Sequence, residues 1–248
     1  MKKIKIFVVI LTVFLSTILI KETFAYGFGL KKNNNHTQPD IGIYKSILEK
    51  NNSIYLGSKD DKIVYLTFDC GYENGHTKTI LDVLKEENIN ATFFITGHYI
   101  NSASDLVIRM KNEGHVIANH SNKHKDITKL NESEIAKEIN ELEVMYHNLT
   151  GSYLTKFYRP PAGNFDDKSL SVINKLGYKT MFWSLAYPDW NHNNSVEYTV
   201  REVMSNVHNG AIILMHAVSE SNALALKSIV SNLKSEGYAI SSTLNLLN

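Results

Sequence analysis

Short apolar runs alternate with amphipathic helical patterns from residue 62 to the end of the chain, and no feature of the sequence constrains the fold more. Residues 62–68, 91–96, 115–119, 156–158, 178–185, 211–215 and 237–240 read as strands, the first rich enough in Val, Ile, Tyr, Thr and Phe to be buried on both faces. Residues 77–87, 105–112, 132–149, 168–176, 196–207 and 222–233 carry apolar side chains at helical spacing. About seven strands alternating with six or seven helices, with no internal repeat, predict an α/β fold built as a parallel (β/α) barrel or a doubly wound sheet.

Polar residues fall where these strands stop. Five runs end in a side chain capable of chemistry: Asp69, His120, Arg159, the stretch up to Asp189-Trp190, and His216. In a parallel barrel all such ends lie on one face, so residues far apart in sequence converge there. Taken singly, each has a plainer role. Asp69 is also a helix cap or turn starter, Arg159 a partner for any surface acid, Trp190 core packing, and His216 a satisfied core histidine. Shared placement at five run ends favours the functional reading.

The spacing His120-Ser121-Asn122-Lys123-His124 puts two imidazoles on one side of a turn or loop, where they suit a divalent metal. Zinc fits two histidines plus a carboxylate or thiolate from Asp69-Cys70, and cobalt or manganese suits the same donors. Arg159-Pro160-Pro161-Ala162-Gly163 sets a permanent cation before a stiff loop whose N–H groups point in a set direction. A buried Arg beside Asp69 would keep that carboxylate ionised, as a general base requires. Asp189 is placed to orient a histidine, and Trp190 to wall a sugar ring.

Thr67-Phe68-Asp69-x-Gly71, His120-Ser121-x-x-His124, Arg159-Pro160-Pro161-x-Gly163, Asp189-Trp190 and Leu214-x-His216 resemble, in order, the five motifs of the polysaccharide deacetylases, carbohydrate esterase family 4. Within that family, Tyr72-Glu73-Asn74-Gly75 and the stretch from Ser184 to Trp190 resemble the spore-former branch acting on N-acetylmuramic acid in peptidoglycan, on the way to the muramic δ-lactam of the cortex. The resemblance implies a distorted (β/α) barrel, TIM-barrel-like, and metal-dependent hydrolysis of an N-acetyl amide. It implies Asp69 as base, His120 and His124 as metal ligands, Arg159 as partner of Asp69, and His216, oriented by Asp189, as the acid that protonates the leaving amine. The backbone N–H of Ala162, set by Pro160, would help hold the oxyanion, while Leu214 and Trp190 enclose the acetyl methyl and the sugar. Most of the family has a second Asp where this chain has Cys70, so an altered metal site with Cys70 as a ligand is expected. A two-histidine site without the thiol is the alternative.

The first 25 residues read as a secretory leader: Lys2, Lys3 and Lys5, an uncharged and mostly apolar run over residues 6–20, then Thr23-Phe24-Ala25. Residues 26–53 read as a polar, Asn-rich linker or irregular arm and a short helix, and residues 54–248 as the deacetylase domain. Removing the leader's four lysines and one glutamate turns the formal charge from +1 to −2, which gives no electrostatic reason to expect nucleic acid as a partner. One cysteine excludes an intramolecular disulfide. The expected partner is a peptidoglycan strand met outside the cytoplasmic membrane by a monomer, with no membrane contact beyond an uncleaved leader. An N-acetylglucosamine deacetylase, an acetylxylan esterase and a glycan-binding protein that lost its metal are the rival functions.

Overall fold

The computed structural model describes residues 24–31 and 35–247, so the leader falls outside the described residues up to residue 23. Among those described, no helix is long and apolar enough to cross a membrane. Strand β1 (Tyr26–Gly27) and helix α1 (Lys45–Lys50) come first. They are followed by β2 (Ile63–Cys70), α2 (Thr77–Glu86), β3 (Thr92–Ile95), α3 (Gly97–Ser102), α4 (Ser104–Asn112), β4 (Val116–Asn119), α5 (Glu132–Thr150) and β5 (Thr155–Tyr158). Then come β6 (Asn164–Phe165), α6 (Asp167–Lys175), β7 (Lys179–Thr180), α7 (Val196–Asn206), β8 (Ala211–His216), α8 (Glu220–Ser235) and β9 (Ala239–Ile240).

Seven strands form one parallel sheet in the order β7-β5-β4-β3-β2-β8, with β9 paired to the start of β2. The chain leaving β7 crosses to β8, where Leu185 bridges Ile213 and its carbonyl accepts the Leu214 N–H at 2.9 Å. The two ends of the sheet are thereby drawn together into the distorted barrel expected from the sequence.

Strand parity sorts the core into two layers. Val64, Leu66, Phe68 and Cys70 of β2 pack outward with Ile80, Leu81 and Leu84 of α2, joined by Ile213 and Met215 of β8. Tyr65 of β2 packs inward with Phe94, Ala118, Phe157 and Ile212. Successive side chains on a strand face opposite ways, so the inward set continues at the strand ends to Asp69, His120, Arg159 and His216. The barrel places these four together because they share both an end and a parity.

The segment expected as a linker or irregular arm contains β1, which pairs antiparallel with β6 (Tyr26 with Phe165, Gly27 with Asn164). The Phe28 N–H donates to the Gly163 carbonyl at 2.9 Å, and the Phe28 ring stacks on Phe182 at 4.4 Å between centroids. The strand expected over residues 178–185 shrinks to Lys179–Thr180. Arg159 is the physical reason: its Nε and Nη2 donate to the Met181 and Phe182 carbonyls at 3.1 and 3.0 Å and take them out of the ladder.

Candidate active site

Asp69, the last but one residue of β2, lies inside the barrel, 5% exposed. Its Oδ1 accepts from Arg159 Nη1 at 2.8 Å, and Arg159 is fully buried. The guanidinium also donates to Thr67 Oγ1 at 2.9 Å and lies over the Phe94 ring at 4.1 Å. The guanidinium that donates to Asp69 is therefore held in place by packing. Burial alone would raise the Asp69 carboxyl, but Arg159, His120 and His216 together hold it below the ordinary value of 3.8. A carboxylate that stays ionised inside a groove is equipped to accept a proton.

His120 follows β4 and is 3% exposed. Its Nδ1 lies 2.8 Å from the Arg159 carbonyl. A carbonyl only accepts, so Nδ1 carries the proton and Nε2 presents a lone pair, 3.6 Å from Asp69 Oδ2. Burial, the largest influence, pulls His120 down to about 4, so the ring is neutral near pH 7. The His124 ring stands 4.9 Å from the His120 ring, edge to face, and is likewise lowered by burial. The two come together on a loop in which Ser121 and His124 adopt positive φ. Glu138 of α5 braces that loop, its carboxylate accepting the Lys123 N–H at 2.7 Å and its carbonyl the Asn122 N–H at 3.2 Å.

Cys70 departs from the expected ligand set. It is fully buried in the outer layer, on the opposite face of β2 from Asp69, and burial pushes its thiol well above the ordinary value. Parity forbids neighbouring side chains of a strand from facing one site. Among the described residues no three of His, Cys, Asp and Glu converge as a metal cage. The donor set nonetheless suits a cation at two positions. A free imidazole nitrogen and a carboxylate oxygen face each other without a proton between them, and the Arg159 carbonyl fixes the tautomer, as an outer-shell partner does for ligating histidines.

Across the groove, His216 ends β8. Its Nδ1 pairs with Asp189 Oδ1 at 2.8 Å, and its backbone N–H donates to Oδ2 at 2.6 Å. Asn222 Nδ2 donates to the same Oδ2 at 2.6 Å and to the His216 carbonyl at 3.1 Å, while Tyr187 Oη donates to Asn222 Oδ1 at 2.7 Å. Burial pulls the imidazole down, yet hydrogen bonding and charge from Asp189 leave it raised above 6.5. With Nδ1–H committed to Asp189, Nε2 is the end that can hand over a proton.

Asp69, His120, His124, His216 and Trp190 line one groove of about 620 Å³. Trp190 is 64% exposed and meets His216 edge to face at 6.1 Å, so it is a platform and not core. Leu214 lines an adjoining cavity of about 280 Å³ that also reaches Trp190 and is lined in part by Gly29 and Leu30 of the arm. Pro160 is buried and Ala162 exposed, at φ 53°, on the loop that follows Arg159. Asn222 and Glu138 escaped the sequence reading, and Thr67 and Tyr187, although inside the motif stretches, were given no role there. Each acts through another residue, and Asn222 in the first turn of a helix after His216 was a signal within reach.

A buried, arginine-locked carboxylate, paired imidazoles and an aspartate-oriented histidine around an exposed indole define a hydrolytic centre for a sugar-borne group. Residues 57–181 match the family model for polysaccharide deacetylase. The chain is 40% identical over 223 residues to the peptidoglycan-N-acetylmuramic acid deacetylase PdaA of Bacillus subtilis, covering 89% of this chain and 85% of that protein. It is 34% identical over 196 residues to a peptidoglycan-N-acetylglucosamine deacetylase of Bacillus cereus, covering 77% and 70%. The structure of B. subtilis PdaA, a family 4 carbohydrate esterase, superposes with a TM-score of 0.87 at 39% identity, over 90% of this chain and 97% of that one. This chain belongs to the polysaccharide deacetylase family.

Proposed function

We propose that the chain is a divalent-metal-dependent peptidoglycan deacetylase that hydrolyses the N-acetyl amide of N-acetylmuramic acid, exported by its leader and working in the spore cortex. The observation that carries the reading is the pair of opposed proton handlers across the groove, Asp69 bonded to Arg159 and His216 bonded to Asp189, which raises the imidazole's affinity for a proton. Similarity to PdaA supports the choice of sugar.

His120, through Nε2, and His124 would hold the cation. When bound there, zinc, cobalt or manganese supplies acidification of water and polarisation of the amide carbonyl. Asp69 accepts the proton of the water that attacks the carbonyl, and Arg159 keeps the carboxylate in position before and after the transfer. The Ala162 N–H is assigned to the oxyanion. His216 Nε2 then donates a proton to the amide nitrogen as the C–N bond breaks, so acetate and a free sugar amine leave. Trp190 stacks on the sugar, and Leu214 borders the cavity for the acyl methyl.

Mass spectrometry of peptidoglycan fragments incubated with the protein, before and after chelation, tests the reading. Acetyl loss from muramic acid that stops on chelation and returns with zinc is expected. Loss confined to glucosamine would transfer the activity to the other sugar, as in the B. cereus relative. No acetate from any fragment with metal present would leave a glycan-binding protein.

A further inference from the structure

The groove is not evenly charged. Asp69, its one lining carboxylate, is neutralised by Arg159. Lys123, on the loop that carries His120 and His124, also lines it, with His98 and Asn122. The two carboxylates that bind its loop are both engaged elsewhere. Glu138 holds Lys125 at 3.5 Å and the Lys123 backbone N–H at 2.7 Å, and Glu141 accepts from Asn122 at 2.7 Å and pairs with Lys137 at 3.6 Å. Among the described residues the Lys123 ammonium is paired with no carboxylate. The groove thus offers an exposed, uncommitted cation one residue before His124.

We propose that Lys123 reads the lactyl carboxylate of the sugar and so selects muramic acid over glucosamine. This rests on the deacetylase reading above. The lactyl ether of muramic acid sits on the ring carbon next to the one that bears the amide, so its carboxylate travels with the scissile group. A glucosamine unit has a neutral hydroxyl there. A hydrated point charge on a flexible stem meets a single carboxylate without demanding the bidentate geometry of an arginine. The bond is exposed and therefore modest, on the order of fivefold in affinity.

The test uses the full chain, Lys123→Gln and Lys123→Arg, on muramic-acid strands with free lactyl carboxylates and on the same strands with that carboxyl converted to a neutral methylamide. Wild-type kcat/KM is expected to be about fivefold higher on the charged strands, through KM, and the advantage to shrink with added salt. Lys123→Gln should lose it and Lys123→Arg keep it, and the two charge deletions, on sugar and protein, should not be additive. Equal turnover of both strands by the wild type, or an equal loss by Lys123→Gln on both, would overturn the role of Lys123 while muramic deacetylation stands. Chitooligosaccharide run in parallel separates the other failure: acetate from glucosamine alone would overturn the substrate reading and this inference with it.

Discussion

Arg159→Met removes the charge that the site is built around while keeping most of the aliphatic volume. The side chain is fully buried, with Nη1 2.8 Å from Asp69 and 2.9 Å from Thr67 and two further bonds to the Met181 and Phe182 carbonyls. Removing one partner of a buried ion pair costs about 3–5 kcal/mol, because the other charge is left without compensation. Against a domain stability of about 5–15 kcal/mol the variant should still fold. The pH dependence carries more information than the size of the loss. In the wild type the Asp69 carboxyl is depressed, so its contribution to stability is present above its unfolded value and is lost as pH falls through the folded one. Without Arg159, burial becomes the dominant influence and the carboxyl rises above its ordinary value. The variant should then regain stability as the pH is lowered from neutral through the raised value, where the wild type does not. Urea denaturation of both proteins across that range is the assay. Parallel stability curves, or a loss below about 1 kcal/mol, would refute the assignment of Arg159 as the group that holds Asp69 ionised.

Cys70→Ala should cost about 1 kcal/mol in denaturation experiments and leave zinc affinity unchanged in a competition titration, whereas a tenfold loss of affinity would reinstate the thiol as a ligand. His216→Gln should lower kcat about 10²–10⁴-fold. In the wild type His216 is protonated below a value raised above 6.5, so kcat/KM should fall as pH rises through it. That limb should vanish from the variant's pH profile. Gly163→Ala places a Cβ 2.8 Å from the Trp183 ring and 3.3 Å from Phe28 Cβ at φ +67°, and should destabilise by about 1–3 kcal/mol. Proteolysis within residues 26–40 should quicken as the arm lifts.

The barrel was legible because its parallel strands are apolar runs separated by periodic helices, and the ends of those runs were legible because a polar residue stands at each. Which of two neighbours faces inward was not. Asp69 and Cys70 are adjacent, and only the closure of the sheet decides which one shares parity with Arg159 and His216. Helix α3, six residues opening on Gly97, falls in a stretch that the sequence pattern left unassigned. Its glycine is demanded from outside the helix, since a Cβ there would lie 1.9 Å from Asn122 Oδ1, and its start is fixed by Thr96, which caps the Tyr99 N–H at 3.1 Å. The supports of the site, Glu138 beneath the histidine loop and Asn222 beneath Asp189, come from helices that the pattern explains fully as amphipathic surfaces. Polar residues that serve a neighbour leave no trace in periodicity.

The strand Tyr26–Gly27 has a practical bearing on how such a chain is handled. Trimming it at residue 54, where the periodic pattern suggests the domain begins, would delete Phe28 from the face of Phe182 and leave Asn164–Phe165 as a bare edge just downstream of Ala162. A shortened protein of that kind could retain every motif residue and still work poorly, and its sluggishness would be misread as a defect in chemistry.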